Sequence, residues 1–382
     1  SWFSPLMARA RWIVPWADSE TKPAIYHCVA RVVDRRFAFG AEDKEQFRIY
    51  LRMMENFSGC RVLAYCVMCN HFHVLLEVPP RPKAGFTDEE LLKRLAGLYP
   101  KSTVAVVAKE LAEARQVVAE GRAVNGEEHV RRIHERFTYR MHDLSEFMKT
   151  LLQRFTRWHN TRTKRSGNLW EETFKSVIVE DGLAAQTMAA YIDLNPVRAG
   201  MVADPAEYRW SSYGEALGGP VKDGRLTGWG AKGNGKKARE GLVRAFYCDQ
   251  GVGFDSGKWD EVSRIYRRLM GMALGKRAGN AEISKDAKGI GQTTKNTAEM
   301  LESEDNETVL KDLGIAKTLL CRVRYFTDGA VIGSREFVNG VFTGSRNRFG
   351  PKRRDGARKM RGNDGAFGKS LWSMRDLRKS LP

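Results

Sequence analysis

The sequence predicts an α+β protein, and the order of elements at the start of the chain carries this prediction. Residues 24–33 are rich in β-forming side chains and predict a first strand. Residues 43–57 repeat apolar side chains at helical spacing, and Ser58-Gly59 ends that pattern. Two further strands, 60–67 and 71–78, follow across a short turn. This β-α-β-β order is typical of a mixed fold in which helices pack against a sheet.

Later segments add helices and one more strand. Residues 81–140 are polar and helical, and we interpret them as an insertion. Asp143 begins a strong amphipathic helix, and residues 169–179 predict a strand with Lys175 in its middle. A helix that Asp181 could cap then runs to Asn195-Pro196, where proline disfavours its continuation.

A run of residues rich in glycine and lysine, 214–241, marks the clearest domain boundary. Beyond it, helical patterns occupy about 236–248, 257–273 and 306–325. We therefore predict the following segments: a catalytic domain over 7–215 with the insertion at 81–140, a linker over 216–240, a mainly helical domain over 241–345, and a basic, flexible tail over 346–382.

The charge of the chain indicates a polyanionic partner, most often nucleic acid. The 382 residues include 64 Lys and Arg against 46 Asp and Glu, a formal net charge of +18. Residues 346–382 hold twelve basic and three acidic side chains, a net of +9 in about a tenth of the length. Aromatic residues lie among them, which is typical of a nucleic-acid arm, although a solubility tail would have a similar composition.

Six sparse and irregularly spaced cysteines indicate reduced thiols and a cytoplasmic location. No apolar run reaches the roughly 18 residues of a membrane span, so no membrane partner is expected.

His71-Phe-His73 is the first chemistry-bearing motif. Side chains alternate along a strand, so His71 and His73 point to one face. Two imidazoles on one face supply half of a metal site, or they are partly exposed strand residues without a ligand. Cys66 and Cys69 precede them and raise the alternative of a zinc site, although the two sulfurs would lie on different faces and no second cysteine pair follows.

Tyr191-Ile-Asp-Leu-Asn195-Pro is the second motif. Tyr191 and Asn195 share one helix face, offset from the apolar stripe. Tyr191 is therefore either a boundary residue with its hydroxyl in water or a residue that a cleft can reach.

The two motifs occur with Phe174-Lys-Ser, with Pro-Val-Arg198-Ala-Gly-Met-Val after Asn195, and with Trp210-Ser-Ser-Tyr213. Together and in this order, they resemble the single-tyrosine HUH transposases, and most of all the REP-associated tyrosine transposases. The resemblance covers about residues 7–215. It implies a ferredoxin-like fold with helices on one face of the sheet, and an enzyme that cuts and rejoins single-stranded DNA at hairpin ends through a 5′-phosphotyrosine.

The resemblance also implies roles for individual residues. Tyr191 would be the nucleophile, and His71, His73 and Asn195 would bind a divalent cation, Mg²⁺ or Mn²⁺. Candidate DNA-binding residues flank this site or lie in the basic tail: Arg165, Lys175, Arg198, Arg353, Arg354 and Arg358. A domesticated member that binds structured nucleic acid without cutting it remains an alternative, and monomer and homodimer both stay open.

Overall fold

The computed structural model of the chain describes residues 12–121, 125–218, 221–222, 225–226, 235–247, 257–280, 319, 324–360 and 370–375. For residues 221–222, 225–226 and 272–280 it describes the backbone. The strands are β1 (Ala24–Arg31), β2 (Arg61–Val67), β3 (His71–Val78), β4 (Lys175–Val179), β5 (Val221–Lys222), β6 (Arg225–Leu226), β7 (Gly329–Gly333), β8 (Arg358–Lys359) and β9 (Trp372–Arg375). The helices are α1 (Ala41–Ser58), α2 (Asp88–Ala96), α3 (Lys101–Ala119), α4 (Gly126–Thr138), α5 (Leu144–Thr163), α6 (Leu183–Asp193), α7 (Asn195–Arg198), α8 (Ser212–Leu217), α9 (Lys236–Tyr247), α10 (Trp259–Asn280), α11 (Arg324–Thr327) and α12 (Arg335–Gly344).

Four strands form an antiparallel part of the sheet in the order β2-β3-β1-β4. The chain reaches this order through β1, α1, β2, β3, α5 and β4, with the insertion α2–α4 between β3 and α5. A β-α-β-β-α-β chain with this strand order is the ferredoxin-like arrangement. The predicted α+β, ferredoxin-like class is therefore confirmed.

Helices cover both faces of the sheet, whereas the sequence prediction placed them on one. Phe47 of α1 and Phe147 of α5 belong to a core with Phe72 of β3. On the other face, Met188 of α6 and Leu242 of α9 pack in a second core that includes strand residues such as Leu75. The reason lies in the strands, whose side chains are buried on both faces, so each face needs its own layer of helices.

Strands from the end of the chain extend the same sheet. β7 pairs in parallel with β4 (Ile178 opposite Val331), β9 pairs antiparallel with β7, and β8 pairs antiparallel with β9. In the part of the chain that the structure describes, the sheet thus has seven strands in the order β2-β3-β1-β4-β7-β9-β8.

The sequence prediction contained none of these three strands. Among the described residues, 241–345 is mainly helical but contributes β7, and 346–382, predicted as a basic, flexible tail, contributes β8 and β9. α9 packs on β2, and Gly241 comes so close that an added Cβ would lie 2.3 Å from the Val62 carbonyl oxygen. These strands need little apolar content because they complete a core that other segments supply.

Two predicted helices correspond to α9 and α10. Most of the predicted linker and most of the predicted helix over 306–325 lie outside the described residues. None of the described helices combines the length and the apolar content that crossing a bilayer requires.

The Trp210-Ser-Ser-Tyr213 motif covers β2, the strand at one end of the sheet. The Val67 amide donates to the Trp210 carbonyl at 2.9 Å, and the Tyr65 amide donates to the Ser212 hydroxyl. Glu215 of α8 accepts from Arg52 at 2.7 Å and from the Tyr65 hydroxyl at 2.7 Å. These contacts satisfy backbone groups that an open sheet edge would leave unpaired.

Candidate active site

The strand register brings both motif histidines to one face of the sheet. His71 lies opposite Arg31 of β1, and His73 lies opposite Val29. Directly opposed residues of antiparallel strands share a face, so Arg31 joins the two imidazoles there. The ring centroids of His71 and His73 are 5.0 Å apart.

Tyr191 meets this histidine face from α6, which packs against it. The Tyr191 ring centroid lies 5.9 Å from that of His73. Tyr191 is 2% exposed, because Phe326 of α11 stacks on its ring at a centroid distance of 4.3 Å. The structure thus brings together the phenol and the imidazoles that the two motifs suggested. The apolar cover over Tyr191 comes from a part of the chain that the sequence motifs did not implicate.

Burial and a nearby cation set the protonation of these groups. Burial raises the pKa of Tyr191 to about 12, and Arg198 and Arg31 oppose this increase. Burial, together with Arg31, lowers the pKa of His71 to about 4. Burial and the neighbouring cations and imidazoles lower the pKa of His73 well below its ordinary value. At neutral pH the phenol is therefore protonated and the imidazoles are uncharged, which leaves each imidazole a nitrogen lone pair.

Arg198 lies against the phenol. Its guanidinium carbon is 4.4 Å from the Tyr191 ring centroid, and its guanidinium donates to the Tyr191 carbonyl at 2.9 Å and to the Leu319 carbonyl at 3.2 Å. A cation in this position favours the charged form of the phenol. The sequence analysis made Arg198 a candidate DNA-binding residue because it flanks the predicted site, and the geometry adds this direct electrostatic effect on Tyr191.

Asn195 begins α7, one turn after Tyr191. Its side-chain Nδ2 donates to the carbonyls of Tyr191 at 3.0 Å and Ile192 at 3.2 Å. Because the amide nitrogen is held by the backbone, the side-chain Oδ1 is the atom left to act as a ligand or acceptor.

A third imidazole, His27 of β1, was missed by the sequence analysis. It is 0% exposed, and its Nε2 lies 2.9 Å from His73 Nδ1. Its Nδ1 donates to the Phe326 carbonyl at 2.8 Å. The sequence contained one usable signal: His27 has the same strand parity as Val29 and Arg31. Without knowing that β1 lies beside β3, that parity could not be linked to His73.

The donor set available to a divalent cation is mixed, with imidazole nitrogens and one amide oxygen. His71 Nδ1 pairs with Asn70 Oδ1 at 2.6 Å, whose own Nδ2 donates to the Arg35 carbonyl and so fixes the amide orientation. His71 Nδ1 therefore carries the proton, and Nε2 keeps the lone pair. Two such imidazoles and one amide oxygen can bind Mn²⁺, and they can bind Mg²⁺ if water and phosphate oxygens complete its shell.

The geometry gives the zinc alternative no support. Cys66 packs in the core beneath α6, with its Sγ 3.6 Å from Met68 Sδ. Cys69 Sγ instead accepts from Lys44 Nζ of α1 at 3.4 Å. Within the described ranges, no group of three or more His, Cys, Asp and Glu side chains is arranged to hold a metal ion.

Two acidic residues near the motifs form hydrogen bonds or ion pairs with other elements of the fold. Asp193 is fully buried and accepts from the Tyr266 hydroxyl at 2.7 Å and the Tyr213 amide at 3.0 Å. Glu77, at the end of β3 and four residues after His73, is also fully buried and pairs with Arg244 of α9 at 2.9 Å. Both carboxylates thus connect elements of the fold around the site.

Lys175 and Arg165 occupy different surroundings. Lys175 is exposed at the start of β4, opposite Val29, which is itself opposite His73. Two strand spacings therefore separate Lys175 from His73, about 10 Å. Arg165 is exposed in the loop after α5, where its amide donates to the Asn160 carbonyl.

The three predicted arginines of the basic end also differ. Arg353 donates to the carbonyls of Asp355, Gly356 and Arg375, and its guanidinium lies 4.4 Å from the Phe349 ring, so its donors are used within the fold. Arg358 is exposed and pairs with Asp355. Arg354 is exposed on the turn before β8.

A cleft of about 790 Å³ lies beside this region. Its described lining includes five basic residues and no acidic one: Lys352, Arg353, Arg358, Lys359 and Arg375, together with Tyr325, Gly350 and Pro351. Tyr325 directly precedes Phe326, so the cleft lies next to the segment that covers Tyr191.

The fold and the site together define an α+β protein with a phenol and three imidazoles on one face of a ferredoxin-like sheet. Residues 21–85 match the family model described as "Transposase IS200 like". This segment contains both motif histidines and ends before Tyr191, and the match confirms the resemblance to IS200-like transposases. No curated protein matches the chain.

One solved structure is similar to this chain: "Structure of the REP associates tyrosine transposase bound to a REP hairpin". The two chains are 10% identical, and the alignment has a TM-score of 0.32 and covers 58% of this chain and 94% of that one.

Proposed function

We propose that this protein is a metal-dependent transposase of the single-tyrosine HUH type, which cleaves and rejoins single-stranded DNA at hairpin ends. The observation that carries the proposal is the 5.9 Å separation between the rings of Tyr191 and His73 on the histidine face. The family match over residues 21–85 supports the transposase class.

In the proposed reaction, the Tyr191 oxygen attacks a phosphodiester phosphorus in line. A bond forms between this oxygen and phosphorus, and the bond between phosphorus and the 3′ oxygen breaks. The phenol proton is lost, the 3′ hydroxyl leaves with a proton, and the 5′ end stays attached as a phosphotyrosine. Because the phosphotyrosine keeps the energy of the diester, another 3′ hydroxyl can reverse the step without ATP.

Residues of this chain would divide the remaining tasks. His71, His73 and Asn195 would hold the divalent cation, which supplies charge neutralisation and orientation of the scissile phosphate. Arg198 lowers the cost of forming the phenolate, since it lies 4.4 Å from the ring. Arg31 and Lys175, on the same sheet face, are suited to contact the flanking phosphates.

A second candidate is a domesticated protein that binds structured nucleic acid without cutting it. The cover over Tyr191 favours it, because a phenol that is 2% exposed beneath Phe326 is closed to a DNA strand in this conformation.

One experiment separates the two candidates. The full chain is incubated with labelled single-stranded hairpin DNA and Mn²⁺, with and without EDTA, and run on a denaturing gel. A transposase yields a covalent protein–DNA band that EDTA removes. Binding on a native gel with no covalent band at any Mn²⁺ concentration would identify the non-cleaving protein.

The basic cleft provides a test of DNA binding that is independent of cleavage. Lys352 and Lys359 are exposed in its lining, and reversing both charges (Lys352→Glu with Lys359→Glu) should weaken hairpin binding roughly tenfold. The slope of log affinity against log salt should also fall by about one to two. The double variant Lys101→Glu with Lys109→Glu, at two exposed positions of α3, is the matched control and should change neither quantity. Equal losses in both variants would show that only overall charge matters.

A further inference from the structure

His27 is a buried imidazole to which the proposed reaction gives no role. It is 0% exposed, and its two ring nitrogens have different partners. Nδ1 faces the Phe326 carbonyl at 2.8 Å, and Nε2 faces His73 Nδ1 at 2.9 Å. The His27 and His73 rings are nearly parallel, with an interplanar angle of 13°.

These contacts determine where the protons lie. A carbonyl oxygen can only accept, so His27 Nδ1 must carry a hydrogen. A neutral His27 then has its lone pair on Nε2, and two lone pairs facing each other at 2.9 Å would repel. His73 Nδ1 therefore carries a hydrogen and donates it to His27. In a neutral His73 this leaves the lone pair on Nε2.

His71, the other motif histidine, is held in the same tautomer by a different hydrogen bond. His71 Nδ1 donates to Asn70 Oδ1, which again leaves the lone pair on Nε2. Both motif histidines thus present Nε2 lone pairs. The neighbouring Asn70 amide fixes the tautomer of His71, whereas His27, which is far away in the sequence, fixes that of His73. Hydrogen bonds to the second nitrogen of a ligand histidine commonly fix its ring orientation and increase its basicity.

We infer that His27 is a positioning residue, which holds His73 in the tautomer and orientation needed to bind the cation of the proposed reaction. The inference rests on the proposed function, since it assigns His27 to the same site. His27 is not itself a ligand, because both of its nitrogens are already engaged. Through Phe326 the arrangement also links the histidine face to α11, the helix whose side chain covers Tyr191.

Two substitutions of His27 test the inference, because it predicts different effects for them. In His27→Gln, the side-chain oxygen can accept from His73 Nδ1 and the side-chain nitrogen can donate to the Phe326 carbonyl. His27→Leu removes both functions at similar bulk. We expect His27→Leu to weaken Mn²⁺ binding by about 10- to 100-fold, and His27→Gln to stay within about threefold of the unchanged protein.

Mn²⁺ affinity of the full chain is measured by calorimetry, and circular dichroism checks the fold. His159→Leu is the matched control, because His159 is also buried but lies on α5, where it pairs with Asp43. It should leave Mn²⁺ affinity unchanged. If folded His27→Leu binds Mn²⁺ as well as the unchanged protein does, or if His27→Gln binds as weakly as His27→Leu, the inference is overturned.

A second measurement needs no substitution and no metal. Nitrogen NMR shifts of the metal-free protein report which nitrogen of His73 carries hydrogen, and we expect Nδ1. Hydrogen on Nε2 would overturn the inference even in a protein that binds Mn²⁺. An unchanged protein that binds no Mn²⁺, yet shows hydrogen on His73 Nδ1, would instead contradict the cation of the proposed function and leave the hydrogen-bond assignment intact.

Discussion

Tyr191→Phe is expected to abolish the covalent protein–DNA adduct while hairpin binding changes by less than about threefold. The substitution removes the oxygen that would attack phosphorus and nothing else. Loss of a covalent nucleophile typically costs about 10⁴-fold or more, so the adduct should fall below detection on a denaturing gel.

The fold should tolerate this change because the contacts of the ring do not need the hydroxyl. The phenyl ring of the variant would keep the stacking on Phe326 at 4.3 Å and the guanidinium of Arg198 at 4.4 Å. Burial of Tyr191 raises its pKa to about 12, which means that the buried hydroxyl is already held in its neutral form.

The control for this prediction is Tyr213→Phe. Tyr213 packs in the same core as Tyr191, and its hydroxyl is buried without a hydrogen-bond partner among the described residues. Its loss should leave adduct formation unchanged. An undiminished adduct in the Tyr191 variant would refute the assignment of the nucleophile, whatever the control shows.

His71→Ala and His73→Ala are each expected to lose metal-dependent cleavage, with Mn²⁺ affinity reduced by about 100-fold or more. Each change deletes one of the two proposed nitrogen ligands. His73→Ala should be the more damaging to stability, because His73 is 2% exposed and its removal leaves His27 Nε2 without its partner.

Cleavage by both variants is measured across a Mn²⁺ titration and again with EDTA. His129→Ala serves as the control, since His129 is exposed on α4 and any effect there would report nonspecific metal binding. Nicking that resists EDTA, or that survives in either variant at ordinary Mn²⁺, would count against a cation at this site.

The parts of the site with a local signature could be predicted from the sequence. His71 and His73 lie two residues apart on a strand, and strand period alone puts them on one face. Tyr191 and Asn195 lie four residues apart, and helical period makes them neighbours. Each motif could be interpreted from the secondary structure of its own segment, and the ordered combination of motifs resembles a known family.

His27 and Phe326 had no such signature. His27 meets His73 across a strand pair, and Phe326 reaches both His27 and Tyr191 from the far end of the chain. The register between β1 and β3 depends on tertiary pairing, which periodicity within one segment does not encode.

The end of the sheet was missed for a related reason. In residues 329–333, two glycines enclose an apolar run of three residues, which is too short to show a period, and β8 has two residues. The strand β9, which begins at Trp372, was not predicted because the charge of the basic residues around it indicates a solvated segment. Burial of Met374 against β7 overrides that local tendency.

The parallel pairing of β4 with β7 has a consequence for biosynthesis. About 150 residues separate the two strands, so a ribosome adding roughly 5 to 20 residues per second needs about 8 to 30 s between them. Throughout that interval the edge of β4 that will pair with β7 has no partner strand. Strands of neighbouring nascent chains could pair with this edge. Correct folding of this protein therefore depends on keeping this edge of β4 free until β7 has been synthesised.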